Sequence, residues 1–158
     1  MAHLAFFLFL IVASALFAQV EIQAEGAHGW AEQFPTWRID NRWTRLVWGP
    51  KPLTGYHCFM VLFILCIVHF PFFAGSAHWT WPVELRVLAF MVLFWVVEDF
   101  LWFVMNPAFG IRRFKASEIW WHSKGWIWFM PTGYWIGLPA GLVLYLMSFW
   151  IGMMSRLW

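Results

Sequence analysis

The feature that most constrains this chain is a series of four long apolar segments separated by more polar connections. The segments lie at about residues 4–28, 55–73, 83–105 and 131–157. A bilayer core needs about 20 apolar residues for each helical crossing, which every segment supplies. The segments are apolar on all faces, whereas the strands of a membrane barrel alternate apolar and polar residues. The sequence therefore predicts an all-α integral membrane protein, a single domain over 1–158 built as a bundle of four transmembrane helices.

The composition excludes several other classes of protein. The chain is 63% hydrophobic and 11% charged, whereas a soluble domain carries about 25% charged residues. With 15 Trp and 18 Phe against 11 Gly and 8 Pro, it also lacks the composition of a disordered chain. A net charge of +2 is too small for phosphate neutralisation. We therefore expect contact with membrane lipid and no nucleic-acid partner.

The first segment has an alternative interpretation as a cleaved signal peptide. Ala13-Ser14-Ala15 is a small-residue pattern of the kind found at cleavage sites. Residues 1–3 contain no Lys or Arg, however, whereas a secretory signal begins with basic residues. We therefore expect this segment to be retained as the first transmembrane helix.

Basic residues are concentrated in the connection between the first two segments and in the connection between the last two. By the positive-inside rule, both connections face the cytoplasm and both termini lie outside. Several Trp residues lie in the same connections, as is typical of the membrane interface, so we expect short interfacial helices there. The basic residues of the two connections are Arg38, Arg42, Arg45, Lys51, Arg112, Arg113, Lys115 and Lys124, and those on the opposite side are Arg86 and Arg156.

Ionisable residues in the first segment share one helix face. Such residues cost about 2.5–3.5 kcal/mol each at the centre of a membrane helix, so they are candidates for function. Glu21, Glu25 and His28 have the spacing i, i+4, i+7. This spacing aligns the three side chains on one side of a continuous helix.

The other three segments bring polar side chains to the same depth. His57 begins the second segment, and His122 precedes the fourth. Glu98 and Asp99 lie in the third segment, about 10 Å before its end if it is helical. We therefore expect acids and imidazoles from all four segments to meet near the cytoplasmic side. A buried ion-pair network is the alternative interpretation of this cluster.

The segment Glu25-Gly-Ala-His28 resembles the Glu-x-x-His unit of di-iron carboxylate proteins. A second such unit is absent, because Glu118 and His122 are four residues apart. Carboxylate and imidazole ligands suit iron, manganese or zinc, and a cation keeps neighbouring carboxylates ionised. We expect a divalent or trivalent metal, either one ion or two such as a pair of iron ions. The expected ligands are Glu21, Glu25, His28, His57, Glu98 and His122.

A polar and aromatic stripe on the third segment predicts a pocket for a small molecule. Asp99 and Asn106 are seven residues apart and share a helix face, with Trp95 and Trp102 close to it. Aromatic walls around a few polar groups are the usual composition of such pockets. We expect Asp99 and Asn106 to be catalytic and the two Trp residues to contact the cofactor. Lipid contact or packing is the alternative role of the Trp residues.

The fourth segment contains the pattern Gly137-x-x-x-Gly141. Small residues at this spacing allow two helices to approach closely. We therefore expect these glycines to lie in a contact between helices.

Three functions fit these features. The first is a multi-pass membrane metalloprotein, a di-metal, iron-like oxidoreductase that acts on a lipid or quinone-like substrate at the cytoplasmic side. The second is electron transfer by haem b, with His57 and His122 as axial ligands. The third is a non-catalytic subunit of a larger membrane complex, whose Trp-rich surfaces bind partner helices or pigments. A homo-oligomer is compatible with each of them.

Overall fold

The computed structural model describes residues 1–49, 51–122 and 125–154. Within these ranges, four long helices and one short helix account for most of the chain. They are α1 (Ala2–Glu25), α2 (Arg42–Trp48), α3 (Gly55–Phe73), α4 (Trp81–Met105) and α5 (Thr132–Met154). The four long helices have the length and hydropathy needed to cross a membrane. The prediction of four long apolar helices is therefore confirmed.

The end of α1 and the start of α4 differ from the sequence prediction. Helix α1 ends at Glu25 rather than at residue 28, because Gly26 adopts a φ of 61° that a continuing helix does not allow. Helix α4 begins two residues earlier than predicted, with Pro82 in its first turn, where a missing N–H costs nothing. The predicted end of the fourth segment, residues 155–157, lies outside the described residues.

Helix α4 is the central element of the structure and packs against both α1 and α5. Phe90, Leu93 and Phe94 of α4 form a buried cluster with Leu10 of α1. The hydroxyl of Ser14 in α1 donates a 3.3 Å hydrogen bond to the carbonyl of Phe94. These contacts fix the relative positions of the two helices that carry most of the predicted acidic residues.

The contact between α4 and α5 is close at the two glycines that the sequence singled out. A Cβ atom on Gly137 would lie 2.6 Å from Val96 Cγ2, and one on Gly141 would lie 2.6 Å from Leu93 Cγ. Both distances are too short for non-bonded carbon atoms. The prediction that Gly137 and Gly141 lie in a helix contact is confirmed.

The two connections fold against the same end of the long helices. We call residues 26–54 the first connection and residues 106–131 the second connection. The first contains α2 and an antiparallel pair of strands, β1 (Arg38–Ile39) and β2 (Leu53–Thr54). The second contains a 3₁₀ turn at Ile111–Arg113 and the pair β3 (Trp126–Ile127) and β4 (Met130–Pro131). The expected short helix is therefore found in the first connection, and a 3₁₀ turn takes its place in the second.

An aromatic cluster joins the connections to the helices. Trp30 of the first connection and Ile119 and Trp121 of the second are buried against Trp102 and Phe103 of α4. The Phe103 and Trp121 rings are stacked, with centroids 5.7 Å apart. Gly29 permits this packing, because a Cβ atom there would lie 2.0 Å from the Trp121 ring. The connections thus form a packed layer over the ends of α1 and α4.

Candidate functional site

A pocket of about 360 Å³ lies where the four long helices meet the two connections. Each long helix and each connection contributes side chains to its wall. Four carboxylic acids, two imidazoles, one amine and five indoles line it. They are Glu21, Glu25, Glu98, Asp99, His57, His122, Lys51, Trp30, Trp48, Trp95, Trp102 and Trp121, together with Tyr134, Val61, Val96 and Gly133.

Eight of the ten residues that the sequence selected line this pocket. They are Glu21, Glu25, His57, Glu98, His122, Asp99, Trp95 and Trp102. The carboxyl groups of α1 and α4 therefore share one cavity, as expected from their common depth. The chemical roles assigned to these eight residues stay predictions.

His28 and Asn106 are not among the residues that line the pocket. His28 follows the end of α1, and 45% of its side chain is exposed. Its ring nitrogens lie 2.8 Å from Gln33 Nε2 and 3.5 Å from Glu32 Oε2. The heptad spacing placed His28 on the face of Glu21 because it assumed a continuous helix, and Gly26 interrupts that helix.

Asn106 is buried at the end of α4, with 2% of its surface exposed. Its Nδ2 donates a 2.7 Å hydrogen bond to the carbonyl of Gly26, and its Oδ1 accepts one of 2.9 Å from the Ala108 amide. Both polar atoms of the side chain are therefore used in joining backbone segments.

The two acids of α1 are held by donors from different parts of the chain. Glu21 Oε1 accepts a 3.1 Å hydrogen bond from the Tyr56 hydroxyl at the start of α3. Glu25 Oε1 accepts one of 2.5 Å from the Ala31 amide. Trp30 and Ala31 have φ angles of 59° and 49°, a left-handed conformation uncommon for residues with side chains. This turn directs the Ala31 amide back toward the end of α1.

Asp99 is the centre of a hydrogen-bonded group on the α4 wall. Its Oδ2 accepts hydrogen bonds from the Tyr134 hydroxyl of α5 and from His122 Nε2, the latter at 3.2 Å. Burial lowers the pKa of His122 below its usual value, although the Asp99 charge acts in the opposite direction. The His122 imidazole is therefore neutral at pH 7, with its Nε2–H directed at the carboxylate.

Lys51 lines the same pocket, and sequence reasoning assigned it only to the basic first connection. Its Nζ lies 3.5 Å from the centroid of the Trp30 ring, a cation–π contact. The His57 ring stacks on Trp30 at 3.8 Å. Burial lowers the pKa of Lys51 to about 8, and the negative charges of Asp99, Glu98, Glu21 and Glu25 act against that shift.

The sequence did not single out Lys51, Tyr134 or Tyr56. Lys51 lies in a connection rich in basic residues, where one more lysine is ordinary, and a tyrosine near the end of an apolar segment is typical of the membrane interface. Tyr56 directly precedes His57, which is the one sequence signal for it, and neither Lys51 nor Tyr134 has such a signal.

Several buried polar atoms of the pocket residues have unused hydrogen-bonding capacity. Glu98 Oε1 and the indole nitrogens of Trp48, Trp95 and Trp102 have no hydrogen-bond partner among the described residues. Buried polar groups without partners cost about 1–3 kcal/mol each. The pocket wall therefore carries one acceptor and three donors that a bound molecule or ordered water would satisfy.

Metal binding depends on how the carboxylates and imidazoles of the pocket are arranged. In the part of the chain that the structure describes, no group of three or more His, Cys, Asp or Glu side chains is arranged to hold a metal ion. One carboxylate oxygen each of Glu21, Glu25 and Asp99 already accepts a hydrogen bond. The donors are Tyr56 to Glu21, Ala31 to Glu25, and Tyr134 and His122 to Asp99. His57 Nδ1 lies 2.6 Å from Thr54 Oγ1, which leaves Nε2 as the ring atom open to a ligand.

Comparison of the chain with protein-family models, curated proteins and solved structures finds no match.

Proposed function

We propose that this chain is a multi-pass membrane protein that binds a small lipid- or quinone-like molecule in the pocket and acts on it as an oxidoreductase. In this proposal the four long helices cross the membrane, with both connections in the cytoplasm and both termini outside. The pocket then lies near the cytoplasmic side of the membrane. A molecule enters it from the bilayer, and its apolar tail packs against the indole rings.

The observation that carries the proposal is the joining of aromatic walls and convergent polar groups in one cavity. Its volume of about 360 Å³ falls within the range of about 300–1,000 Å³ common for small-molecule sites. Trp95 and Trp102 form apolar wall beside Asp99 and His122. The ring of a quinone-like head group can pack against the indoles, and its oxygen atoms can accept hydrogen bonds from the indole N–H groups.

Asp99, His122 and Tyr134 are suited to moving a proton at such an oxygen. A neutral imidazole accepts a proton, and the adjacent carboxylate stabilises the imidazolium that results. The Tyr134 hydroxyl donates to the same oxygen of Asp99 as His122 does, and it orients the carboxylate. The proposed role of these residues is therefore to orient the head group and to exchange a proton with it.

The test is binding of a decyl-benzoquinone to the purified protein in lipid nanodiscs. Gly133 lines the pocket and a Cβ atom there meets open space, so Gly133→Phe adds a ring at the pocket wall. The matched control is Ala140→Phe, which adds the same ring to an exposed position of α5 outside the lining. We expect saturable binding of about one quinone per chain in the wild type and the control, and its loss in Gly133→Phe. Equal uptake by all three proteins contradicts the proposal, because it indicates partition into the lipid alone.

The second candidate is the metal-dependent form of this enzyme, supported by the four carboxyl groups and two imidazoles that line one pocket. Among the described residues, no three of these groups are yet arranged around one ion. The Thr54 contact to His57 Nδ1 is also the kind of contact that orients a histidine ligand. A bound ion would be held by Glu21, Glu25, Glu98, His57 and His122, and it would supply redox chemistry or polarise a substrate oxygen.

Elemental analysis of the purified protein tests this second candidate. We expect at least one iron, manganese or zinc ion per chain, reduced in Glu25→Ala and His57→Ala. Glu84→Gln is the control, because Glu84 contacts His69 and Trp79 and does not line the pocket. The metal-dependent candidate is contradicted if the protein contains less than one metal ion per chain and none of the variants changes that content. The visible spectrum of the same sample tests the haem alternative, since bound haem gives a Soret band.

A further inference from the structure

Lys51 occupies an unusual place for a lysine of a basic connection. Its side chain is half-buried and lines the pocket, and its Nζ rests on the face of Trp30. Among the described residues, no carboxylate oxygen forms a salt bridge with it within 4.0 Å. A primary amine is therefore present on the wall of an aromatic cavity without a direct ionic partner.

The charged groups around Lys51 come from every element that meets it. Glu21 and Glu25 of α1 and Glu98 and Asp99 of α4 attract its charge. The imidazoles of His57 in α3 and His122 in the second connection line the same pocket. These acids are close enough to stabilise a cation on the nitrogen. Because burial lowers the pKa of Lys51 to about 8, about a tenth of the amine is neutral at pH 7.

We propose that Lys51 is a nucleophile that forms an imine with an aldehyde or ketone carried by an apolar molecule in this pocket. This inference rests on the proposed function, since it requires that the pocket bind an apolar molecule. It adds the chemical class of the substrate and a covalent step. Lysines that form such adducts typically have a desolvated amine in an apolar pocket.

The step balances without an added oxidant or reductant. The neutral Nζ attacks the carbonyl carbon, a C–N bond forms, and the carbonyl oxygen takes a proton. The nitrogen loses a proton, the C–O bond breaks, and the oxygen leaves as water while a C=N bond forms. The net change is amine plus carbonyl to imine plus water. Glu98, whose Oε1 has no hydrogen-bond partner among the described residues, is placed on the wall to exchange these protons.

A protonated imine would keep the positive charge of the present ammonium. Asp99, the acid with the strongest electrostatic effect on Lys51, would then act as the counter-ion to the adduct. The Trp30 ring, which contacts the ammonium from one side, would contact the iminium in the same way. The electrostatics of the pocket therefore suit both the free amine and its product.

The experiment is reductive trapping in nanodiscs at pH 7, with dodecanal as the probe and sodium cyanoborohydride to reduce the imine to a stable amine. Peptide mapping by mass spectrometry locates the adduct among the chain's lysines. Lys115 is the internal reference, because it is exposed and paired with Glu118 at 3.5 Å. We expect the adduct at Lys51 at least ten times faster than at Lys115. Equal rates at the two lysines overturn the inference.

Two variants separate the pocket from the amine itself. Lys51→Arg keeps the charge but removes the nucleophile and is expected to abolish the adduct, whereas Lys115→Arg, the matched control, is expected to keep it. Gly133→Phe retains Lys51 and is expected to slow its labelling by closing the pocket. If Gly133→Phe leaves the rate of labelling at Lys51 unchanged, the inference is overturned, because the amine then reacts outside the pocket.

A binding measurement distinguishes failure of this inference from failure of the proposed function. Decyl-benzoquinone is added as a competitor, and its own binding is measured in the same nanodiscs. If the quinone binds in the wild type and is lost in Gly133→Phe but dodecanal gives no adduct at Lys51, the covalent step is refuted and the proposed function stands. If neither molecule binds, both proposals fail.

Discussion

Asn106 Nδ2 donates a 2.7 Å hydrogen bond to the carbonyl of Gly26. The two residues end the helices that carry most of the pocket acids, since Gly26 follows Glu25 in α1 and Asn106 follows the last turn of α4. The bond therefore fixes the end of α1 against the end of α4. Through it, the position of Glu25 relative to Glu98 depends on a side chain outside the pocket lining.

The first prediction concerns the stability that this bond provides. Asn106→Ala leaves the Gly26 carbonyl and the Ala108 amide without their present partners in a buried environment. We expect a loss of about 1–3 kcal/mol, seen as a lower unfolding temperature by Trp fluorescence in detergent. Asn41→Ala, which removes the exposed cap of α2, is the control and should cost about 1 kcal/mol or less. If Asn106→Ala abolishes quinone binding at unchanged stability, Asn106 acts on the ligand, as the sequence suggested.

The second prediction concerns the electrostatic link between Asp99 and His122. Burial lowers the pKa of His122, and the Asp99 charge opposes this by stabilising the imidazolium. Asp99→Asn removes the opposing charge while burial and the Lys51 charge stay, so the pKa of His122 should fall further. Titration of the imidazole by nitrogen-15 NMR measures it. Glu84→Gln, which alters an acid paired with His69, should leave the titration of His122 unchanged. A rise in the pKa of His122 in Asp99→Asn would contradict the geometry.

The third prediction is the pH dependence of the Lys51 reaction. Only the neutral amine attacks a carbonyl, and the pKa of Lys51 is lowered to about 8. The initial rate of attack by Lys51, measured by competitive labelling with a trace of acetic anhydride in place of trapping, should therefore rise with pH, reach half its maximum near pH 8 and level off above pH 9. Free Nα-acetyl-lysine in the same solution has the ordinary pKa of about 10.4 and should still be rising at pH 9. Identical pH profiles for the two amines would show that Lys51 is fully solvated.

Much of the helical architecture follows from the sequence, because the length of an apolar segment alone determines whether it can cross a bilayer. The acids of the pocket follow too, since the cost of burying Glu21 or Glu98 in such a helix is high enough to make each one informative. The contribution of Lys51 depends instead on the first connection folding back over the helix ends. That fold rests on contacts such as the Trp30 indole N–H to the Pro52 carbonyl at 2.7 Å, which join residues distant in sequence.

Helix periodicity also has a definite limit in this chain. It places Glu21 and Glu25 on one face correctly, because both lie inside α1. It fails for His28, because a single glycine with positive φ ends the helix between Glu25 and His28. Glycine at position 26 is visible in the sequence, but glycine also occurs inside helices, as Gly137 does in α5. Only the tertiary contacts of the two residues distinguish their roles.

The fourth prediction concerns the close contact between α4 and α5. A Cβ atom on Gly141 would lie 2.6 Å from Leu93 Cγ, and Leu93 is 3% exposed and packed in the core. Gly141→Ala should therefore destabilise the protein by about 1–3 kcal/mol through overpacking. Gly152→Ala is the matched control on the same helix, because its Cβ atom would meet Pro82 at 3.5 Å, an ordinary contact. That variant should be neutral or gain up to about 1 kcal/mol from the higher helix propensity of alanine. Thermal unfolding in detergent measures the stability of both variants.

A double variant tests whether the two helices repack. Gly141→Ala combined with Leu93→Ala should be more stable than the sum of the two single effects predicts, since the smaller side chain at position 93 makes room for the new methyl group. Strict additivity of the two substitutions would mean that the helices separate rather than repack, and that the contact at Gly141 does not hold α5 against α4.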